Sequence, residues 1–290
     1  MKIIKIFIVK FFFLIIGLLP FPLIYLISNF LSFILLRIIK YRVDVVRYNL
    51  KSSNLELSEL DNKKLIKNFY SHFCDIYLEM IKLDRMNKID VEKRLKVLNP
   101  EIANKYLKED KSVILLVSHY GGYEWCTALD YFFEYKVAAI YTPLKDKELE
   151  NLTIKSRARH GMKLISRYNA LNDIRDLEKS GSNYMYGFMA DQSPQIRKIN
   201  YWTKFLGVEV PAFTGAERMA KELNIPVVFA KMSKLSRGKY EMRLELIAEN
   251  PNEFKDFEIT EKYLRLVEKQ IHEKPDYYFW THNRFKHRKN

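Results

Sequence analysis

The chain contains, at residues 113–125, the stretch Val-Ile-Leu-Leu-Val-Ser-His-Tyr-Gly-Gly-Tyr-Glu-Trp. Its first five residues form an apolar run with the length and β-branched content of a buried strand. His119 follows the run, and Glu124 lies five positions later. Helix residues five apart point about 140° apart, so these side chains face each other only if the chain bends. Gly121-Gly122 permits that bend, because glycine tolerates positive φ.

A histidine beside a carboxylate can take a proton from an alcohol. Six histidines and 35 acidic residues give about 0.7 chance matches to His-x4-Asp/Glu, so the spacing alone is weak. Its context is stronger, because open α/β sheets place their sites where a strand turns into a helix. A buried histidine with a local capping carboxylate is the alternative. The catalytic hypothesis makes His119 a general base oriented by Glu124, with the N–H groups of Gly121 and Gly122 facing an oxyanion; local sequence alone leaves both interpretations open.

The beginning of the chain differs from the rest. Residues 11–36 contain no charge, and basic residues flank them on both sides. The run is long enough to cross a bilayer core, but Pro20 and Pro22 interrupt it. A kinked or re-entrant anchor and a single span both fit, while a cleaved signal peptide fits less well because no small-residue cleavage site follows. We predict a membrane anchor over residues 1–42 and a catalytic domain over residues 43–290.

The composition narrows the functional classes. Charged residues make up 29% of the chain, which excludes a polytopic membrane protein, and the net charge is +14. A basic excess suits nucleic acid or an anionic membrane surface, and the apolar N-terminus favours the membrane. Cys74 and Cys126 are the only cysteines, and two cysteines far apart in sequence give neither a disulfide framework nor a zinc-ligand spacing. No P-loop, dinucleotide fingerprint or metal-ligand cluster is present, so we predict no cofactor and no metal.

Strand-like and helix-like segments alternate from residue 113 onward. This alternation predicts an α/β fold with a mainly parallel central sheet flanked by helices. The predicted strands are 113–117, 137–141, 162–165, 184–190, 227–232 and 240–247. The predicted helices are 43–83, 99–107, 123–133, 147–160, 172–179, 213–223 and 258–273.

Other segments carry candidate site residues. Asp191 and Gln192 follow a predicted strand, where a carboxylate can belong to a site or simply to a turn. Arg157 and Arg159 end a charged helix, where they can grip phosphate or only complement the helix dipole.

Two stretches are rich in aromatic residues. Residues 199–213 can form a core-packing loop or the wall of an acyl groove, and we favour the groove. Residues 277–289 mix aromatic and basic side chains. Such a mixture can stack on nucleic acid bases, but beside an apolar N-terminus it predicts a patch against anionic lipid.

Together these segments resemble the late acyltransferases of lipid A biosynthesis, within the wider His-x4-Asp/Glu glycerolipid acyltransferase superfamily. The resemblance rests on the apolar N-terminus, residues 118–125, the strand end Ala190-Asp191-Gln192, and the tail 280–286. The glutamate of the motif favours the lipid A branch. One departure is Asn283, where the family tail usually has arginine.

The resemblance implies an enzyme of the bacterial inner membrane, with its catalytic domain on the cytoplasmic face. It would transfer an acyl chain from an acyl carrier protein thioester to a hydroxyl of a phosphorylated lipid A precursor. Asp191, Gln192 and Arg284 then become substrate-binding candidates, beside Arg157 and Arg159 for phosphate. An acyltransferase for a lysophospholipid, aminolipid or glycolipid also fits, as does a non-catalytic membrane-anchored lipid-binding protein. No nucleic acid partner is expected.

Overall fold

A computed structural model describes residues 2–289, and the side chains of residue 7 and residues 9–289. Ten α-helices and nine strands form within these residues. The helices are α1 (Lys2–Leu18), α2 (Phe21–Phe33), α3 (Val43–Ser52), α4 (Glu59–Leu83), α5 (Lys88–Glu92), α6 (Glu101–Lys108), α7 (Lys147–Arg157), α8 (Ala170–Lys179), α9 (Gly215–Leu223) and α10 (Glu258–Glu273). The strands are β1 (Leu95–Val97), β2 (Val113–Val117), β3 (Lys136–Tyr141), β4 (Lys163–Ser166), β5 (Tyr184–Met189), β6 (Trp202–Phe205), β7 (Val208–Pro211), β8 (Val227–Ser236) and β9 (Lys239–Ala248).

Seven strands form the central sheet, in the order β1-β9-β8-β2-β5-β3-β4. All neighbours run parallel except the β8–β9 hairpin, which confirms the predicted mainly parallel α/β class. Strand β2 lies in the centre with all five residues buried, because helices cover both faces of such a sheet. The carboxyl ends of β2, β3 and β5 therefore meet at one edge, where sheets of this class bind their ligands.

Three segments differ from the sequence prediction. The helix predicted over 43–83 is two helices, α3 and α4, and strand β1 was not predicted. Residues 199–213 contain the antiparallel hairpin β6–β7, whose two-residue turn is Leu206-Gly207. Both turn residues have positive φ, which matches the twist of a tight hairpin. Phe205 and Val210 are buried in the core, so most of this segment packs inside instead of lining a groove.

The N-terminal helices pack on α4 and leave apolar side chains exposed. Ile16 and Ile24 are buried against Leu78 and Ile81. Their outer side exposes large apolar residues, among them Phe7, Phe11, Leu18, Leu26, Phe30 and Phe33. Within the described residues, Phe21–Ile38 is the one helical segment long and apolar enough to cross a membrane, with a mean hydropathy of 1.8. The division of the chain at residue 42 remains a prediction.

Candidate active site

His119 is held by a buried carboxylate at the carboxyl edge of the central sheet. Its ring Nδ1 lies 2.7 Å from Asp191 Oδ1, and its backbone N–H donates to Asp191 Oδ2 at 3.0 Å. The two residues follow the neighbouring parallel strands β2 and β5, whose ends lie side by side. The fold therefore brings two sequence candidates, 72 positions apart, into direct contact.

The contact with Asp191 determines which ring nitrogen of His119 can act. Burial would raise the pKa of the Asp191 carboxyl, but the charge and hydrogen bonds of His119 outweigh burial and lower that pKa below its usual range. An ionised carboxylate only accepts hydrogen bonds, so Nδ1 carries a proton and donates it. When the ring is neutral, its lone pair therefore lies on Nε2, the atom that a general base uses.

Glu124 forms its ion pair with Arg157. Glu124 Oε1 lies 2.7 Å from Arg157 Nη2, and the Glu124 side chain is only 5% exposed. The charge of Glu124 raises the pKa of the Arg157 guanidinium, so the partly buried arginine stays charged. The orienting contact predicted between Glu124 and His119 is made by Asp191 instead. The reason is local: a 3₁₀ helix, Tyr123–Tyr131, begins right after Gly122 and brings Glu124 to the end of α7.

The turn after His119 requires glycine at both residue 121 and residue 122, because a side chain would be strained at the first and would clash at the second. Gly121 has a φ of +57°, in the left-handed region that favours glycine. A Cβ on Gly122 would lie 2.6 Å from Cδ1 of Tyr240, inside the contact distance of two carbons. The Gly121 N–H already donates to Tyr277 O at 3.0 Å. The oxyanion role predicted for the two N–H groups therefore rests on Gly122.

His72 on α4 supports this turn from behind. Its Nε2 lies 3.2 Å from Gly121 O, and its Nδ1 lies 3.0 Å from Lys234 Nζ. Because an ammonium group only donates, Nδ1 accepts and the Nε2–H donates to the carbonyl. Burial, and then the charge of Lys234, hold the pKa of His72 well below its usual range. Sequence reasoning missed His72, because it lies inside a long helix with no motif around it.

A cavity of about 380 Å³ opens beside His119, and it is called the acyl cavity after the substrate that the sequence resemblance implies. Small-molecule pockets span roughly 300–1,000 Å³. Leu115, Gly187 and Ala139 lie side by side in register on β2, β5 and β3 and form part of its wall. Because Gly187 has no side chain and Ala139 only a methyl group, they leave room there. The other apolar and aromatic lining residues include Tyr77, Val117, Tyr123, Leu129, Val137, Met162, Leu164, Phe188, Met189, Phe213 and Phe279.

Predicted site residues supply the polar part of the acyl cavity. His119, Glu124, Arg157 and Gln192 all line it, whereas Asp191 is buried behind His119. No group of three His, Cys, Asp or Glu side chains that could hold a metal ion occurs in the described part of the chain. A histidine base beside an apolar cavity has the elements that an acyltransferase needs, namely a group to activate a hydroxyl and space for an acyl chain.

Two predicted binding residues lie away from the acyl cavity. Arg159 Nε lies 3.4 Å from the carbonyl oxygen of Asp84. Arg284 is 1% exposed, donates to Pro211 O at 3.0 Å and stacks over Phe205, 4.9 Å from the ring centroid. Since Arg284 has core partners and no solvent access, it cannot reach a substrate unless the tail moves. Its Nε and Nη2 have no hydrogen-bond partner among the described residues, and its substrate-binding role stays a prediction.

The aromatic tail forms the back wall of the site. Tyr278, Trp280 and Phe285 are buried, so the predicted membrane patch is wrong for these side chains. Tyr278 Oη donates to Asp191 O at 3.3 Å, and the Phe279 N–H donates to His119 O at 3.1 Å. The tail thus fixes both partners of the His119–Asp191 pair through their backbone oxygens.

Comparison with known proteins gives the family. Residues 1–287 match the family model described as bacterial lipid A biosynthesis acyltransferase, so the chain belongs to that family. One relative, a lipid A biosynthesis lauroyltransferase of Escherichia coli (strain K12), is 24% identical over 275 residues, covering 93% of this chain and 87% of the relative. The resemblance seen in four sequence segments is confirmed, and so is acyl transfer as the type of reaction.

Proposed function

We propose that this acyltransferase moves a fatty acyl chain from an acyl carrier protein thioester to a hydroxyl of a lipid A precursor. One observation carries the proposal: His119 and Asp191 form a 2.7 Å pair, and His119 lines an apolar cavity. Family membership supports the acceptor class. The carrier-protein donor is our extension from the resemblance.

His119 acts as the general base. Its Nε2 takes the proton of the acceptor hydroxyl while the hydroxyl oxygen attacks the thioester carbonyl carbon. Asp191 holds the ring in the required tautomer and stabilises the imidazolium that forms. The C–S bond then breaks, and the departing thiolate takes the proton from His119. The products are an ester on the acceptor and a free thiol on the carrier, and every atom is accounted for.

No cysteine nucleophile takes part in this proposal. Cys126 lines the acyl cavity, but burial, and then the charge of Glu124, raise the pKa of its thiol to about 12. The thiolate is the nucleophilic form, so a thiol with that pKa is inert near neutral pH. Direct attack by the acceptor hydroxyl is therefore the simpler route.

Arg157 stabilises the developing negative charge. It lines the acyl cavity, and its buried Nε has no hydrogen-bond partner among the described residues. Because Glu124 holds Nη2 and keeps the guanidinium charged, its positive charge stabilises the oxyanion of the tetrahedral intermediate, while the N–H of Gly122 donates to it. Preorganised donors of this kind are worth about 2.7–4 kcal/mol each.

The donor acyl chain occupies the acyl cavity. Each methylene group buried there contributes about 0.8 kcal/mol, so several methylenes supply much of the donor's binding free energy. The exposed apolar side chains of α1 and α2 and the net charge of +14 support placement at an anionic membrane. We propose the inner membrane, with the site on the cytoplasmic face where acyl carrier protein is found.

The test is acyl transfer by the full chain in detergent, comparing wild type with His119→Ala. His272→Ala is the matched control, because His272 is exposed on α10. Acyl carrier protein loaded with chains of several lengths is the donor, and a lipid A precursor and a lysophospholipid are offered in parallel. Product masses identify both the acceptor and the chain length.

We expect a mass gain on the lipid A precursor that His119→Ala reduces by about 10²–10⁴ and the control leaves unchanged. A gain on the lysophospholipid alone would show the same chemistry on a glycerolipid acceptor and refute the lipid A assignment. Activity of His119→Ala within a few-fold of wild type would refute the general-base role.

A further inference from the structure

We infer that a second cavity beside the acyl cavity binds the phosphate group of a phosphate ester substrate. This basic cavity has a volume of about 720 Å³. The inference deepens the proposed function and rests on it, because the basic cavity adjoins the reacting groups. The residues that line both cavities are Ile140, Tyr141, Thr142, Arg167, Phe188, Met189 and Phe213. A ligand with an acyl part and a charged part can therefore extend from one cavity into the other.

The lining of the basic cavity is strongly positive. Four cationic side chains line it, and within residues 2–289 no aspartate or glutamate does. Two carboxylates touch the lining from outside: Glu150 accepts from Tyr141 Oη, and Asp173 accepts from Asn169 Nδ2. The four cations are Arg167, Arg197, Lys198 and Arg218.

Three of these cations have no partner of their own. Arg197, Lys198 and Arg218 form no side-chain hydrogen bond or ion pair with any described residue, and all three are exposed. Some other arginines of the chain form ion pairs, such as Arg237, which lies 2.6 Å from Asp75, whereas exposed Arg243 also lacks a partner among the described residues but lies outside the cavity lining. Converging like charges without counter-charge repel each other. An anionic ligand would relieve that repulsion.

Arg167 is the cation that joins the two cavities. It follows β4 at the carboxyl edge of the sheet, and its contacts are with neutral groups. Nη1 lies 3.4 Å from Thr142 Oγ1, and the guanidinium lies 5.9 Å from the centroids of the Tyr168 and Phe213 rings. Its remaining donors are available to a ligand that spans both cavities.

Backbone groups add to the positive character. Helices α8 and α9 both begin at this cavity, and neither N-cap residue, Asn169 or Thr214, caps its helix with its side chain. Nothing lies within 4 Å of the position that a Cβ on Gly215 would occupy, so a ligand can approach that backbone. The side-chain cations carry the inference, and the helix ends only strengthen it.

Phosphate is the anion that this chemistry fits best. Guanidinium groups present planar forks that bind phosphate oxygens in pairs, and three of the four cations are arginines. The phosphate can belong to the acceptor lipid or to the phosphodiester arm of the carrier-bound donor. Arg157, the phosphate candidate predicted from sequence, is already paired with Glu124. The cations of the basic cavity take over that role in this inference.

The experiment combines direct binding with steady-state kinetics on the full chain in detergent. Arg197→Ala/Arg218→Ala is the test variant. Arg243→Ala/Lys255→Ala is the control, because it removes the same charge from exposed positions outside the cavity lining. Inorganic pyrophosphate is the probe in calorimetry, which requires no turnover. The kinetics measure KM for the donor and for the acceptor, with and without its phosphates.

We expect the test variant to bind pyrophosphate at least tenfold more weakly than wild type and the control. We also expect KM for the phosphorylated acceptor to rise about 10–100-fold, as for loss of charge-assisted hydrogen bonds, with less change for the dephosphorylated acceptor. A rise confined to the donor KM would support the subsite and place the donor's phosphodiester in it. Unchanged pyrophosphate binding together with unchanged KM values would overturn the inference. If wild type transfers no acyl chain, the proposed function fails, and the calorimetry still decides on the subsite.

Discussion

Two buried carboxylates serve the same short loop, but they hold different partners. Asp191 comes from the end of β5 and holds His119, while Glu124 comes from the loop itself and holds Arg157. Both contacts are 2.7 Å long, and both carboxylates are at most 5% exposed. The partner from the distant strand is the one that orients the base. Proximity in sequence therefore did not decide which carboxylate the histidine uses.

The comparison separates two chemical tasks. A neutral histidine held by a carboxylate can take up and return a proton, whereas an arginine held by a carboxylate keeps its charge and a fixed position. The His-x4-Glu spacing supplies one member of each pair. The other members, Asp191 and Arg157, arrive through the fold.

The largest expected effect is on kcat, and it distinguishes the His119–Asp191 pair from the Arg157–Glu124 pair. Asp191→Asn should lower kcat by about 10²–10⁴, because an asparagine can stabilise the wrong tautomer of His119 and cannot stabilise the imidazolium. Glu124→Gln should lower kcat less, because Arg157 keeps its charge and an acceptor remains. Acyl transfer at saturating substrate measures both. Asp44→Asn is the control, since Asp44 is exposed. A larger loss for Glu124→Gln would restore Glu124 to the orienting role predicted from sequence.

Much of the fold was predictable because its signals are local. Strand β2 and helix α10 have the bounds that the apolar patterns predicted. Strand β1 escaped notice because it has three residues, and β6–β7 because a hairpin with both faces partly buried shows no clean alternation. The mainly parallel sheet followed from the order of strands and helices, which needs no knowledge of long-range contacts.

The site was less predictable because its contacts are long-range. Asp191 and His119 were each candidates, but only the pairing of β2 with β5 joins them. Nothing in the sequence shows that Arg157 turns to Glu124, or that His72 supports Gly121. The aromatic tail was noticed and misplaced, since residue type alone does not distinguish a lipid-facing surface from the wall behind a site.

The next effect concerns stability and tests whether Glu124 and Arg157 act as one unit. Glu124→Gln and Arg157→Met should each lower the free energy of unfolding, because each leaves a buried polar partner. The double variant should lose less than the sum, with a coupling of about 0.5–3 kcal/mol. Urea unfolding of wild type, the two single variants and the double variant gives the four free energies of unfolding that this double-mutant cycle needs.

The matched control for that cycle is Lys231–Glu273, an ion pair of the same 2.7 Å length but with side chains 21% and 46% exposed. Exposed ion pairs contribute only about 0.2–1 kcal/mol to the free energy of unfolding. If the Glu124–Arg157 coupling is no larger than that of the control, the buried pair contributes nothing special to stability.

The smallest effect concerns the histidine behind the loop that carries both pairs. The pKa of His72 is held well below its usual range in the folded protein, whereas in the unfolded chain it is about 6.5. Below that pH the unfolded chain binds more protons than the folded one, so stability falls as the pH falls. One such group contributes at most about 1.4 kcal/mol per pH unit. Urea unfolding at pH 7.5, 6.5 and 5.5 should therefore show a steeper loss for wild type than for His72→Gln.

The same series on His272→Gln, an exposed position, should follow wild type. His160 and His282 also have lowered pKa values because of burial, but they are present in all three proteins and cancel in the difference. Equal slopes for wild type and His72→Gln would mean that His72 becomes protonated in the folded protein. Lys234 would then have to move away from Nδ1, and the carbonyl of Gly121 would no longer be held by a neutral ring.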